Sequence, residues 1–473
     1  MSKFSDKCRE LLIENGSNVY QLSTHFSLEH TTLQRMVTGK RLPKIDFVKN
    51  FCRSLRLSES EKEELLELYR REAMGIDAYN NERSIFHLMN HLKDLETNRK
   101  SSSIVSVELN HIEFHSDVST ESYNTELMMH MILTAEFSSL DDGFIYTNLP
   151  DNYTPFLHSL NLLSLQYAKK LLVQHLVHFH INASLSNKNL DIINHILPLF
   201  ISDTLDYQVF YYYSRLTKND HEHMLFPYYI ITSKYILLLS SDFSKGFKLS
   251  DPVLINQYLK EFKQTCKKSK PLFQRVQMLD KAQSLYSISI GTESTVFHYQ
   301  PCYGHLIENS ELLNQIDLHL PLFHEVGKQF ISSMNEKIIN LNYIYFSDLG
   351  VEDFCNTGKY YGQVGTFFPP STPQERVKKL KYFQQKGKLA SNNIMIKGEL
   401  WPFPKNLYFE LQGTQLLLII RIESFDKMDF IMIEESSICE AFYQFFHSLP
   451  SSKYAYTPEE MDAFFAHKID QLT

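Results

Sequence analysis

The stretch from Ser17 to Leu57 constrains the fold more than any other, because apolar residues recur at helical spacing and stop signals cut them into short pieces. Just before it, Phe4, Cys8, Leu11 and Leu12 share one helix face, and Gly16 ends that run. Ser17 or Asn18 caps the next helix, Val19–Phe26, which is expected to bury Val19, Leu22 and Phe26. Ser27-Leu28 makes a turn. A third helix is predicted from about Glu29 to Thr38, with Leu33, Met36 and Val37 inward and Gly39 as its left-handed stop. Pro43 starts a fourth, carrying Phe47, Val48, Phe51, Cys52 and Leu55. Ser58 or Ser60 caps a fifth, with acids in its first turn and Leu65, Leu66 and Leu68 as its apolar residues.

Three segments keep one phase without a gap. They are Leu22-Ser23-Thr24-His25-Phe26-Ser27-Leu28, Thr31-Thr32-Leu33-Gln34-Arg35-Met36 and Gly39-Lys40-Arg41-Leu42-Pro43. In this order they resemble the lambda-repressor/Cro-like (XRE) helix-turn-helix family. Ser27 departs from the family pattern, which has glycine at that turn. The resemblance implies that His30, Thr31 and Arg35, with Gln34 adjacent, face base edges. Arginine can grip a guanine edge with two bonds, and threonine can touch a thymine methyl. It also implies that Asn18 at a helix start, with Lys40, Arg41 and Lys44 beyond the recognition helix, holds phosphate.

Charge agrees with a local DNA contact. The chain carries a formal −8 overall, yet residues 1–57 hold ten cations against five anions, so this head is +5 and the remainder −13. None of the six cysteines, Cys8, Cys52, Cys266, Cys302, Cys355 and Cys439, forms a Cys-x-x-Cys pair, which fits reduced thiols in the cytoplasm. The amino terminus is too charged for a signal peptide, and no apolar run reaches the roughly 20 residues of a spanning helix. A membrane partner is not expected.

After Ser101-Ser102-Ser103 the pattern changes to alternating strands and helices. Strands are expected at 104–109, 207–213, 228–232 and 235–239, and helices over 157–179, 190–199 and 253–266. Phe247–Ile255 and Phe430–Ile438 place an apolar strand end, an acid and a helix face in the same phase, each after another apolar strand (Ile236–Leu239 or Leu416–Ile419). A strand–helix unit used twice follows from this. The expected fold is therefore an all-α helix-turn-helix domain (1–72), a helical connector (73–103) that could serve as a dimer helix, and a large α/β body. The body comprises two similar lobes, 104–272 and 273–473, with 358–373 as its most loop-like stretch.

The body offers no comparable chemistry. His175, His178 and His180, and His221-Glu222-His223, lack a third ligand and a zinc-binding spacing, so packed or surface histidines are expected and no metal or cofactor. A duplicated α/β layout is similar to the phospholipase-D-like fold, whose chemistry needs His-x-Lys-x4-Asp. The nearest approach, His91-Leu92-Lys93, has Asn98 in the acid's place. Glu434 and Glu435 are adjacent and so point to opposite faces of a strand. The expectation is a non-enzymatic transcription regulator that binds double-stranded operator DNA as a homodimer, its body sensing a small-molecule or peptide effector. Two alternatives are an enzyme acting on a nucleotide or phosphodiester and targeted to DNA by its head, and a protein-interaction scaffold that autoregulates its gene.

Overall fold

The computed structural model describes residues 2–26, 28–101, 116–181, 186–214, 225–276, 294–301, 313, 328, 341–361, 369–389, 392–401, 403–422 and 427–473. Its contacts divide the chain into two compact units, Met1–Arg83 and Ser84–Thr473.

The first unit is helical: α1 (Lys3–Glu14), α2 (Val19–His25), α3 (His30–Val37), α4 (Ile45–Ser54), α5 (Glu59–Met74) and the start of α6 (Ile76–Ser101). Phe4, Cys8, Leu11, Leu22, Leu33, Met36, Val48, Phe51 and Leu65 form its core. Several boundaries have a local cause. Ser58 and Glu61 make a reciprocal capping box at the start of α5. Gly39 and Gly75 both take positive φ at helix ends, where a Cβ would be strained. One expectation fails: Phe26 is 48% exposed, because α2 stops at His25 and Phe26 falls on its frayed end.

The second unit holds the later part of α6 and two mixed sheets. The first sheet contains β1 (Val118–Ser119), β2 (Phe144–Thr147), β3 (Leu171–His180), β4 (Leu205–Ser214), β5 (Tyr228–Ile231), β6 (Ile236–Leu239), β7 (Gly246–Leu249) and β8 (Lys270–Pro271), in the order β1-β7-β6-β5-β2-β3-β4-β8. The second contains β9 (Gln274–Arg275), β10 (Ser294–Phe297), β11 (Leu341–Ser347), β12 (Asn393–Ile396), β13 (Leu407–Gln412), β14 (Gln415–Ile422) and β15 (Lys427–Ile433), in the order β12-β11-β10-β13-β14-β15-β9.

These are the same arrangement twice. Strands β2, β3 and β4 run parallel, and so do β10, β11 and β12. An antiparallel meander leaves the first of each trio, β5-β6-β7 or β13-β14-β15. A short strand from before each trio pairs with the end of the meander, β1 on β7 and β9 on β15. A returning segment borders the far edge, β8 on β4 and Ala455 on Ile396 of β12. Parallel neighbours need long crossovers, and helices supply them. In the first lobe these are α8 (Thr154–Tyr167) and α9 (Ser186–Ile201), with α7 (Ser122–Ser138) packed beside α8. In the second, α11 (Asp348–Thr357) and α12 (Pro373–Leu389) connect β11 to β12.

The helix after each meander shows how packing reshapes a repeated unit. In the first lobe it is α10 (Pro252–Lys268), capped by Asp251, which accepts from the N–H groups of Val253 and Leu254. In the second it is α13 (Ser436–Ser448), capped by Glu435. Helix α10 buries only Ile255 and Phe262, in a cluster with no described residue of the second lobe. Helix α13 lies between its own sheet and α9 of the first lobe, and buries Ile438, Cys439, Ala441, Phe442, Phe445 and Phe446. One-sided cover keeps an amphipathic helix; two-sided cover demands an apolar one. The chain closes with α14 (Pro458–Leu472), which packs on α12.

A buried carboxylate fixes this seam. The Tyr213 hydroxyl, at the end of β4, donates to Glu435. The Ser437 hydroxyl (2.6 Å) and the Ile438 N–H (2.8 Å) donate to its other oxygen. Asn189 of α9 donates to Ser437 Oγ at 2.9 Å and exchanges hydrogen bonds with the backbone of His180. Glu434 beside it is exposed, as neighbours on a strand end should be.

Two expectations for this unit are corrected. The helix predicted over 157–179 is α8 followed by β3. Ala168 at φ 49° breaks it, and Lys169 pins the break by donating to the carbonyls of Ser139 and Asp141 at 2.8 Å each. The connector is expected to be free to serve as a dimer helix, but Ile85, Leu88, Met89 and Leu92 of α6 lie in the core of their own chain, so that face is not open to a second copy. The expected strand at 104–109 and the His221-Glu222-His223 group lie outside the described residues, as do 362–368 of the expected loop. Among the described residues, no helix is long and apolar enough to cross a membrane.

Candidate nucleic-acid interface

Helix α3 sorts its residues cleanly. Leu33, Met36 and Val37 are buried, and His30, Thr31, Gln34 and Arg35 are all exposed. Successive residues turn by roughly 100°, so those four fall within one arc of about 140° opposite the buried face. The arc presents an imidazole, a hydroxyl with its methyl, a carboxamide and a guanidinium. This set can both donate to and accept from base edges. The Glu29 carboxylate, just before the helix, accepts from the Thr32 hydroxyl and stays at the helix's positive end.

The exit from α3 aligns the cations. The Thr38 and Gly39 N–H groups donate to the carbonyls of Gln34 and Met36, and Gly39 turns the chain at φ 70°. The Lys40 and Arg41 N–H groups both return to the Arg35 carbonyl, at 2.9 and 3.4 Å. Lys40 and Arg41 are thereby held at the end of the helix that carries Arg35, with exposed side chains. Pro43 is buried, and its carbonyl accepts from the Tyr69 hydroxyl of α5 at 2.8 Å. Burial raises the Tyr69 hydroxyl's pKa, with Asp46 adding to it, so it stays a donor. Lys44, next in line, is exposed and precedes α4.

Asn18 has a different first duty. Its side-chain oxygen accepts from the Gln21 N–H at 2.8 Å, and the Gln21 side chain accepts from the Asn18 N–H at 3.1 Å. The residue is committed to a capping box, which does not use its amide NH2.

Sequence reasoning passed over two residues. Tyr20 is 72% exposed on the first turn of α2, a ring with a hydroxyl on the Asn18 side of the unit. The signal was available: Val19 and Leu22 define the buried phase, and Tyr20 lies outside it. Tyr69 was the other, and only the fold reveals its hold on the loop.

In the second unit, packing accounts for His175. His175 is fully buried, with Nδ1 at 2.6 Å from the Tyr207 hydroxyl and Nε2 at 2.7 Å from the Leu149 carbonyl. Burial lowers its pKa, which keeps the ring neutral. On strand β3, His175 and His178 point to opposite faces, so the two do not converge. No group of three or more potential metal ligands occurs among the described residues. Leu92 of α6, at the centre of the partial His-x-Lys match, is buried in the core of the second unit.

Comparison with known proteins finds no matching family model and no matching curated protein.

Proposed function

We propose that the chain is a sequence-specific DNA-binding transcription regulator in which α2 and α3 act as a helix-turn-helix. Helix α3 enters the major groove, where His30, Thr31, Gln34 and Arg35 meet base edges. Lys40, Arg41, Lys44 and the Asn18 amide hold phosphate on either side. The body forms a homodimer in the cytoplasm and senses a small-molecule or peptide effector. Two recognition helices about one DNA turn apart then read a near-palindrome.

One observation carries this reading. The polar arc of α3 is exposed while its apolar face is fully buried, and the exposed Lys40 and Arg41 are tied by their backbone to Arg35. The backbone bonds are those of an ordinary helix end closed by a glycine, and they fix Lys40 and Arg41 beside the Arg35 end of the arc. The test is selection of duplexes from a random pool by the full chain. The expected result is a near-palindromic consensus bound by two copies; recovery without any consensus counts against the proposal.

A further inference from the structure

The two lobes leave an open cleft of about 770 Å³ at their seam, within the range of small-molecule sites. The ends of β3 and β4 form one wall, with His180, Ile181 and Tyr213. Helix α13 forms another, with Cys439, Glu440 and Tyr443, and the turn between β13 and β14 closes the third side. Ile181, Tyr213 and Tyr443 are 55%, 41% and 43% exposed. Three large apolar side chains thus collect in one concave place and keep their surface in water. Such clusters mark binding sites more often than chance.

The electrostatics of the lining are selective. No lysine or arginine is among the described lining residues. Burial lowers the His180 pKa, and His178 and Lys188 lower it further, so its imidazole is neutral at neutral pH. Burial pushes the Cys439 thiol up to about 12, and its S–H donates to the Thr414 carbonyl at 3.1 Å, so it is neither nucleophile nor ligand. The Tyr213 hydroxyl is spent on Glu435. Glu440 is left as the carboxylate on the wall, with the buried Glu435 behind. Gln444 donates to Glu440 at 2.8 Å and orients it. His447 lies against the Tyr443 ring, centroids 3.9 Å apart, and holds the ring in place. Among the described lining residues, a phosphate or carboxylate ligand would meet the Glu440 carboxylate and no lysine or arginine. A cation would meet a carboxylate and two aromatic rings.

We propose that this cleft binds a small organic cation, an ammonium group bearing an apolar or aromatic body. Glu440 pairs with the ammonium, while Tyr213, Tyr443 and Ile181 enclose the body. The inference deepens the regulatory reading only in giving the effector a chemistry. The site itself stands or falls in the absence of DNA. The same chemistry belongs to free amines and to the amino terminus of a short peptide.

The test is isothermal titration of the full chain, without DNA, across the millimolar range. The probes are 2-phenylethylamine, Phe-Ala-Ala-amide with a free or acetylated amino terminus, and the anion 3-phenylpropionate. The expected result is binding of at least one cation and roughly tenfold or weaker binding of the anion. Glu440→Gln should weaken the bound cation roughly three- to tenfold, and Tyr443→Leu by a similar factor, with the fold intact by tryptophan fluorescence. Preference for the free-terminus peptide, lost on acetylation, assigns the site to peptides; preference for the amine assigns it to free amines. Equal binding of amine and anion overturns the proposal, as does an unchanged Glu440→Gln or no binding of any probe. A failed DNA selection with intact cation binding would instead count against the regulatory reading alone.

Discussion

Replacing Glu435 with alanine removes the acceptor on which donors from both lobes converge. The side chain is fully buried and receives the Tyr213 hydroxyl, the Ser437 hydroxyl and the Ile438 N–H. Loss of the cap on α13 costs about 1 kcal/mol. A buried bond to a carboxylate is worth about 1.5–3 kcal/mol, and its orphaned donor keeps a desolvation cost. Tyr213 is 41% exposed and can turn to water, so its share is discounted. The sum is about 3–4 kcal/mol for Glu435→Ala and about 1 kcal/mol for Glu435→Gln, which retains an acceptor. The assay is built in. The chain's single tryptophan, Trp401, is buried among Phe86, Phe297, Phe403 and Phe445 of the second unit, so its fluorescence in urea follows that unit. A Tyr213→Phe/Glu435→Gln cycle should show coupling of at least about 0.5 kcal/mol across the seam. The reasoning is refuted if Glu435→Ala leaves the midpoint unchanged, or if the two variants are equally destabilised.

Three other outcomes follow from local geometry. Asn18→Ala should destabilise α2 by about 1 kcal/mol through loss of the capping box, seen as faster amide exchange of that helix in the full chain. Gly350→Ala would set a Cβ 1.8 Å from the Tyr299 carbonyl oxygen, between two backbones that cannot part cheaply. A loss of about 3 kcal/mol or more is expected in the Trp401 transition, and a neutral result would contradict the close approach. The His195 pKa is raised above the ordinary 6.5 by its hydrogen bond with Asp151, so this pair's stabilisation is complete below that value and fades as pH rises through the raised one. Stability of His195→Gln should therefore fall short of the parent most at mildly acid pH, the deficit shrinking toward alkaline pH.

The helical head was readable because its signals are local. Caps, glycine stops and apolar phase all act within one or two turns, so Ser58, Gly39 and the Leu33–Met36–Val37 face could be placed from the residues alone. The paired lobes were readable only at the joint after each meander, where Phe247–Ile255 and Phe430–Ile438 share a phase. The rest of the repeat lies in strand order, which many interchangeable apolar residues can satisfy. Strand β3 was misread because LLVQHLVHFH is apolar enough to extend the helical spacing of α8; the sequence signal against it was the Lys169-Lys170 pair, and the left-handed Ala168 appears only in the fold. The cleft was invisible for a different reason. Tyr213, Glu440 and Tyr443 come from segments more than 200 residues apart, and only the stacking of the lobes brings them together.

The most direct test of the central proposal compares Thr31→Ala/Arg35→Ala with the parent chain on the selected duplex and on a scrambled one, by fluorescence anisotropy at fixed salt. Each base contact is worth about 1–3 kcal/mol, so the double variant should bind the selected duplex at least roughly tenfold more weakly and lose most of its preference over the scrambled one. Lys40→Ala should weaken both duplexes alike and reduce the salt dependence by about one counterion. If the double variant binds the selected duplex as tightly as the parent, α3 does not read DNA and the proposed function is wrong.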